Sequence, residues 1–173
     1  MRYSAKDITT AGLFGALGVV LPMLFHLAGL GSTFLPMHLP ILICGLLVSA
    51  PVALVVGIVT PLISSAITGM PPFLPVGVIM LVELGILGLS ASLLRRYMRL
   101  PVILAVVGAM LAARVAGALE VLAIAPVIGV EQNPALYLGV AFVASWPGIL
   151  IQLIVAPMVV RVAESIKAKG VSS

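Results

Sequence analysis

Leu35-Pro36-Met37-His38-Leu39-Pro40 opens, and Thr68-Gly69-Met70-Pro71-Pro72-Phe73-Leu74-Pro75 closes, a run that contains no Asp, Glu, Lys or Arg. Proline has no backbone N–H and disfavours helical geometry in the residue before it, so these clusters mark where helices stop. Between them lies enough apolar chain for a pair of membrane helices that turn at Ser49-Ala50-Pro51. With that turn on one side of a bilayer, both proline elbows emerge on the other. There they form the rim of a pocket.

The rest of the chain has the same character. Of its 173 residues, 62% are hydrophobic and 8% charged, well outside the usage of soluble domains. This is the composition of an integral membrane protein. At about 20 apolar residues per helical span, the chain holds about six spans as one bundle over 1–173, with no room for an extramembrane domain. The apolar runs are continuous, whereas the strands of a membrane barrel alternate apolar and polar residues. Cys44 is the single cysteine and sits in an apolar run, so it reads as a buried, inert thiol.

The runs place spans at about 8–28, 39–50, 51–69, 76–94, 101–125 and 136–160. The expected fold is therefore an all-α six-transmembrane-helix bundle. Six spans put both termini and the 94–101 connection on one side. Arg2, Lys6, Arg95, Arg96, Arg99, Arg161, Lys167 and Lys169 all fall there, and the opposite loops contain no Lys or Arg. The positive-inside rule makes that side, with the N- and C-termini, cytoplasmic. A net charge of +4 is thus a topology signal rather than a nucleic-acid footprint.

An ionisable side chain in hydrocarbon is costly unless paired or hydrated, which singles out Glu83, Arg114 and Glu120. Arg114 and Glu120 are six residues apart, so on a helix they diverge by roughly 120° and need not pair. Glu83 is the alternative partner for Arg114. Such a pair either fixes helix register or orients a polar ligand, and the two roles are compatible.

Other candidates for a ligand site lie toward the outer side. His38 is in the first elbow, where a lone histidine serves as a hydrogen-bonding or a structural residue. Thr68 ends a stripe with Gly57, Thr60 or Pro61, and Ser64, while Asn133 lies in the outer loop at 129–134. Trp146, followed by Pro147, can stack on a flat heterocycle or face lipid. Gln152 shares a helical face with Ser145 and Gly148, which suits an interhelical hydrogen bond. In the first span Ala11/Gly15 and Gly12/Ala16 are small pairs four apart, a face for close approach of another helix, internal or from a separate protein.

Several activities lose support. There is no phosphate-binding loop of the GxxxxGKS type, so the chain does not hydrolyse ATP itself, and no HExxH or Cys–His cluster offers a metal site. No nucleophile–base set is visible, which argues against an enzyme. The few intramembrane carboxylates argue against a long proton relay, and no half-to-half repeat of the secondary-transporter kind is evident.

Taken together, the size, the six spans, Ala11/Gly15 and Gly12/Ala16, Leu35–Pro40, Pro61–Ser65 leading to Thr68–Pro72, the span with Glu83 and the basic tail after Pro157 resemble one family. It is the substrate-binding S components of energy-coupling factor (ECF) transporters, a branch of the ABC importers of prokaryotic plasma membranes. The resemblance covers essentially the whole chain. It implies capture of a small water-soluble vitamin or precursor near the outer face, under the first, third and fifth loops. It implies docking of the first helix, through Ala11, Gly12, Gly15 and Ala16, on a transmembrane coupling (T) component. Two cytoplasmic ATPases would use the ATP, and the chain itself would need no cofactor. Arg114 would suit a carboxylate, as in pantothenate or niacin; Glu83 or Glu120 would suit an amine or hydroxyl, as in pyridoxine or a pyrimidine. The alternative from a different class is a self-sufficient, homo-oligomeric small channel or secondary carrier.

Overall fold

The computed structural model describes residues 4–27, 29, 34–124, 139 and 142–169. Its helices are α1 (Ala5–Leu27), α2 (His38–Leu47), α3 (Ala50–Thr68), α4 (Val78–Ser92), α5 (Val102–Ile124) and α6 (Trp146–Lys169). A single π-helical turn, Leu93–Tyr97, follows α4, and the Phe73–Gly77 segment before it is kinked at Leu74, which is extended (φ −117°, ψ 137°). No strand occurs among the described residues. In hydrocarbon a backbone must bond to itself, and such uninterrupted apolar runs do so as helices.

Among the described residues five helical stretches are long and apolar enough to cross a membrane: Ala5–Phe25, Ala50–Thr68, Val78–Tyr97, Val102–Ala123 and Trp146–Ile166. The expected span at 39–50 differs. It is the 10-residue α2, which rises only about 15 Å, half of a hydrocarbon core about 30 Å thick. The chain before it explains the shortening. Leu35 adopts a positive φ of 48°, uncommon for a bulky side chain, and the His38 N–H bonds back to the Leu35 carbonyl at 3.0 Å. Met37, expected on the outer rim, is buried. The first elbow is therefore drawn into the bundle, and α2 packs against every other described helix. Ile41, Leu42 and Cys44 are fully enclosed there.

The last expected span, 136–160, is described as α6 from Trp146, and the helix runs on through the basic tail to Lys169. Residues 136–138, 140 and 141 lie outside the described residues, as do 125–135.

Polar contacts gather at one end. The Ser49 N–H donates to Asp7 Oδ2 at 3.3 Å, and Arg96 lies 3.7 Å from Asp7 Oδ1 while donating to the Leu47 carbonyl at 3.1 Å. Ser92 donates to the Val48 carbonyl at 2.7 Å, and Arg95 pairs with Glu164 at 2.6 Å. The start of α1, the α2–α3 turn, the end of α4 and the tail of α6 thus share the basic end. The Gly69–Pro72 elbow is at the other, a full α3 length away.

Glycines set how closely α4 approaches its neighbours. A Cβ on Gly45 of α2 would stand 2.5 Å from the Gly88 carbonyl oxygen, and one on Gly88 would stand 2.7 Å from the Ala53 carbonyl oxygen. A Cβ on Gly57 would run into the Leu84 carbonyl. Lipid gives helices no hydrophobic drive to associate, so such close backbone packing is what holds α2, α3 and α4 together.

The second elbow is fastened by α3. Ser49 is extended ahead of Ala50-Pro51, a proline suited to a first helical turn, and Gly69 closes the helix in the left-handed region with φ 71°. Ser64 and Ser65 donate to the carbonyls of Met70 and Pro71, both at 2.8 Å. The hydroxyl stripe ties the turn back onto its own helix.

Candidate functional site

Four polar side chains from four parts of the chain meet inside the bundle. Arg114 of α5 donates from Nη1 to Glu83 Oε1 of α4 at 2.5 Å and from Nη2 to Ser145 Oγ, just before α6, at 3.4 Å. His38, the first residue of α2, places Nε2 3.6 Å from the same Glu83 oxygen. Exposures of 8% for Arg114, 4% for Glu83, 6% for His38 and 2% for Ser145 put all four out of contact with lipid or bulk water.

Their depth follows from the helices. His38 precedes Leu47, and Glu83 precedes Ser92, by nine residues, so each lies about 14 Å from the basic-end turn where Ser92 meets Val48. That is about half of a hydrocarbon core roughly 30 Å thick, counted from the basic end. An ion pair at this depth removes the cost of either charge alone, and α2 begins at this level because the preceding non-helical chain is packed inside protein.

Three side chains around the pair keep polar atoms without a hydrogen-bond partner. These are Nδ1 and Nε2 of His38, Nε2 of Gln152 and Oε2 of Glu120. Gln152 is 1% exposed and lies on the face of α6 that carries buried Gly148 and Ser145. It sits two turns, about 10 Å, nearer the basic end than Ser145. Glu120 is half-buried and within electrostatic range of Glu83. Buried polar atoms are usually satisfied, so His38, Gln152 and Glu120 are exceptions, with Gln152 toward the basic end and Glu120 away from it relative to the ion pair. Among the described residues no group of three or more His, Cys, Asp or Glu side chains is placed to hold a metal ion.

The sequence model for the substrate-specific component of ECF transporters matches residues 6–160, from the start of α1 through most of α6. The chain belongs to that family. It is accordingly a substrate-specific S component, a transport subunit rather than a member of an enzyme family. No curated protein and no solved structure matches it.

Within this S component the remaining candidate residues separate by position. Trp146 is 60% exposed and continues into Leu150, Ile154, Met158, Val162 and Ile166, all exposed and four residues apart, the stripe of a lipid-facing surface. Thr68 donates to the Ser64 carbonyl at 2.7 Å and accepts the Met70 N–H at 3.1 Å, so its hydroxyl is used by the elbow. Asn133 lies outside the described residues. Ser145 shares a helical face with Gln152 in the sequence, and it joins Arg114 through a packing contact that no local pattern encodes.

The small pairs of α1 also divide. Gly15 faces α3, where a Cβ would meet Thr60 and Val56 at 3.7 Å, and Ala11 packs against the Cys44, Val48 and Ala53 cluster. Gly12 has nothing within 4 Å of where a Cβ would stand, and Ala16 is exposed. Ala11/Gly15 is the inner face of α1 in this S component, and Gly12/Ala16 the outer.

Proposed function

We propose that this S component captures a small water-soluble vitamin or vitamin precursor at the outer face of a prokaryotic plasma membrane and delivers it for uptake. The observation that carries the reading is the buried His38–Glu83–Arg114–Ser145 cluster, with unpartnered polar atoms on His38, Gln152 and Glu120. A guest that satisfies those atoms gains hydrogen bonds inside a low-dielectric bundle, which is how a pocket built from few polar groups binds tightly.

The basic end is cytoplasmic in this reading, because Arg95, Arg96 and Arg99 cluster there and the opposite elbow carries no Lys or Arg. The chain then makes six crossings, with α2 and the bent segment before it forming the second. Energy comes from a T component and two cytoplasmic ATPases, consistent with a chain that lacks a phosphate-binding loop, and the subunit needs no cofactor of its own. Gly12 and Ala16, open on the outer face of α1, are the residues offered to the T component.

Mass spectrometry of the small molecules released on denaturing the purified chain tests the central claim. A single vitamin-like compound at near one-to-one stoichiometry is the expected result. A reconstituted chain that accumulates solute alone, under an ion gradient, would instead favour a self-sufficient carrier.

A further inference from the structure

We infer that the face at the basic end formed by residues 97–100 and the last turns of α6 binds the phosphate of an anionic phospholipid, held by Arg99 and Arg161. The inference goes beyond the reading of the buried cluster and does not rest on it. Arg95 builds the face. Its Nη1 donates to the Leu100 carbonyl at 3.1 Å and its Nη2 to Glu164 Oε1 at 2.6 Å, so one guanidinium ties the loop to α6. Arg99 precedes Leu100, and Arg161 is one helical turn from Glu164. Glu164, the carboxylate of this joint, is thereby taken up by Arg95. Arg99 and Arg161 are both exposed, and neither has a hydrogen-bond or ion-pair partner among the described residues.

The loop holds its arginine in place. The Met98 N–H bonds to the Leu93 carbonyl at 2.9 Å and the Leu100 N–H to the Leu94 carbonyl at 3.0 Å, and between them Arg99 has a φ of 56°. Glycine or asparagine would suit that left-handed backbone better, so what arginine brings there is charge. The surroundings decide the occupant. On α6, Arg161 lies about 60° around the helix from Glu164 on one side and about 60° from Met158 on the other, and so borders the lipid-facing stripe at Met158 and Val162. On the loop, Tyr97 and Met98 are exposed, and tyrosine favours the boundary between membrane and water. A dissolved anion makes no use of these apolar side chains. A phospholipid gives its phosphate to the arginines, whose planar forks match it through paired N–H bonds, and lays its chains against Met158 and Val162.

The experiment incubates the purified full chain in neutral detergent with equal amounts of phosphatidylglycerol and phosphatidylcholine, and native mass spectrometry counts the lipid that stays bound. A preference for phosphatidylglycerol of about 25-fold is expected, each arginine contributing about fivefold, the scale of one basic residue at an anionic membrane surface. Arg99→Gly, which suits the left-handed backbone, and Arg161→Gln should each lower the preference by about fivefold while melting as the native chain does. Lys6→Gln removes another exposed cation, from the start of α1, and should leave the preference unchanged. No preference in the native chain overturns the inference. So does a preference that both arginine variants retain, or one that Lys6→Gln lowers equally, since that is diffuse surface charge. Displacement of the bound lipid by an equal concentration of inorganic phosphate makes the face a site for dissolved anions and overturns it as well.

Discussion

Arg114 and Glu83, on adjacent helices and 31 residues apart in the chain, form an ion pair at the level where α2 begins. Because both are buried, removing one partner takes from the other its directly hydrogen-bonded opposite charge, and the expected loss of stability for Glu83→Gln or Arg114→Gln is about 3–5 kcal/mol. Chemical denaturation of the two single variants and the double variant checks it. The double variant should lose less than the sum of the singles, the signature of a direct pair.

Gly57 and Gly12 make a matched contrast. Gly57→Ala sets a methyl against the Leu84 backbone and should cost about 1–3 kcal/mol through forced separation of α3 and α4. Gly12→Ala meets open space and should be neutral or slightly stabilising, by up to about 1 kcal/mol of helix propensity. Thermal melts of the two variants in one detergent decide whether the glycine pattern is read correctly.

For coupling, the same helix gives a functional contrast. Gly12→Leu should leave ligand affinity within about twofold yet abolish uptake in cells that supply the T component and ATPases. Gly15→Leu, facing Thr60 and Val56, should destabilise the isolated chain instead. Loss of affinity in Gly12→Leu would mean that the outer face of α1 serves the pocket.

Side-chain position separates Trp146 from Gln152. Trp146→Phe changes a residue on the lipid-facing stripe, and ligand affinity should stay within about twofold. Gln152→Leu removes a buried donor and should weaken binding tenfold or more, about 1.4 kcal/mol. Equilibrium binding with the released compound distinguishes them.

The orientation is checked with cysteines. Met98→Cys, exposed at the basic end, should react with an impermeant maleimide only after permeabilisation, and Phe73→Cys, exposed at the other end, should react in intact cells. The native Cys44 is fully buried and should stay silent in both.

Much of this was legible because hydrocarbon leaves few options. Proline and glycine punctuation located α1, α3, α4 and α5 to within a few residues, and the expense of lone charges singled out Glu83 and Arg114 as partners. The depth of His38 was not legible. Leu35-Pro36-Met37 has the local chemistry of an exposed elbow, and it is drawn inward only by packing against distant helices. The bond from Thr68 to Ser64 follows from local chemistry, since threonines late in helices bond back to the carbonyl four residues earlier. The outer loop with Asn133 lies beyond the described residues.

The brevity of α2 bears on how the protein is made. A helix of ten residues, nine of them apolar after His38, falls short of the roughly 17–25 residues of a membrane-spanning helix. This segment therefore enters the bilayer as a hairpin with α3, from which it is separated only by Val48 and Ser49. Glu83 and Arg114 arrive on separate later helices, each carrying a charge worth about 2.5–3.5 kcal/mol against insertion at mid-depth. Until α4 and α5 are both in place, neither charge has its partner and α2 has no complete shell. The polar cluster, which also needs Ser145 just before α6, is thus the last part of the subunit to mature, and an Arg114 without Glu83 marks an assembly that has stalled.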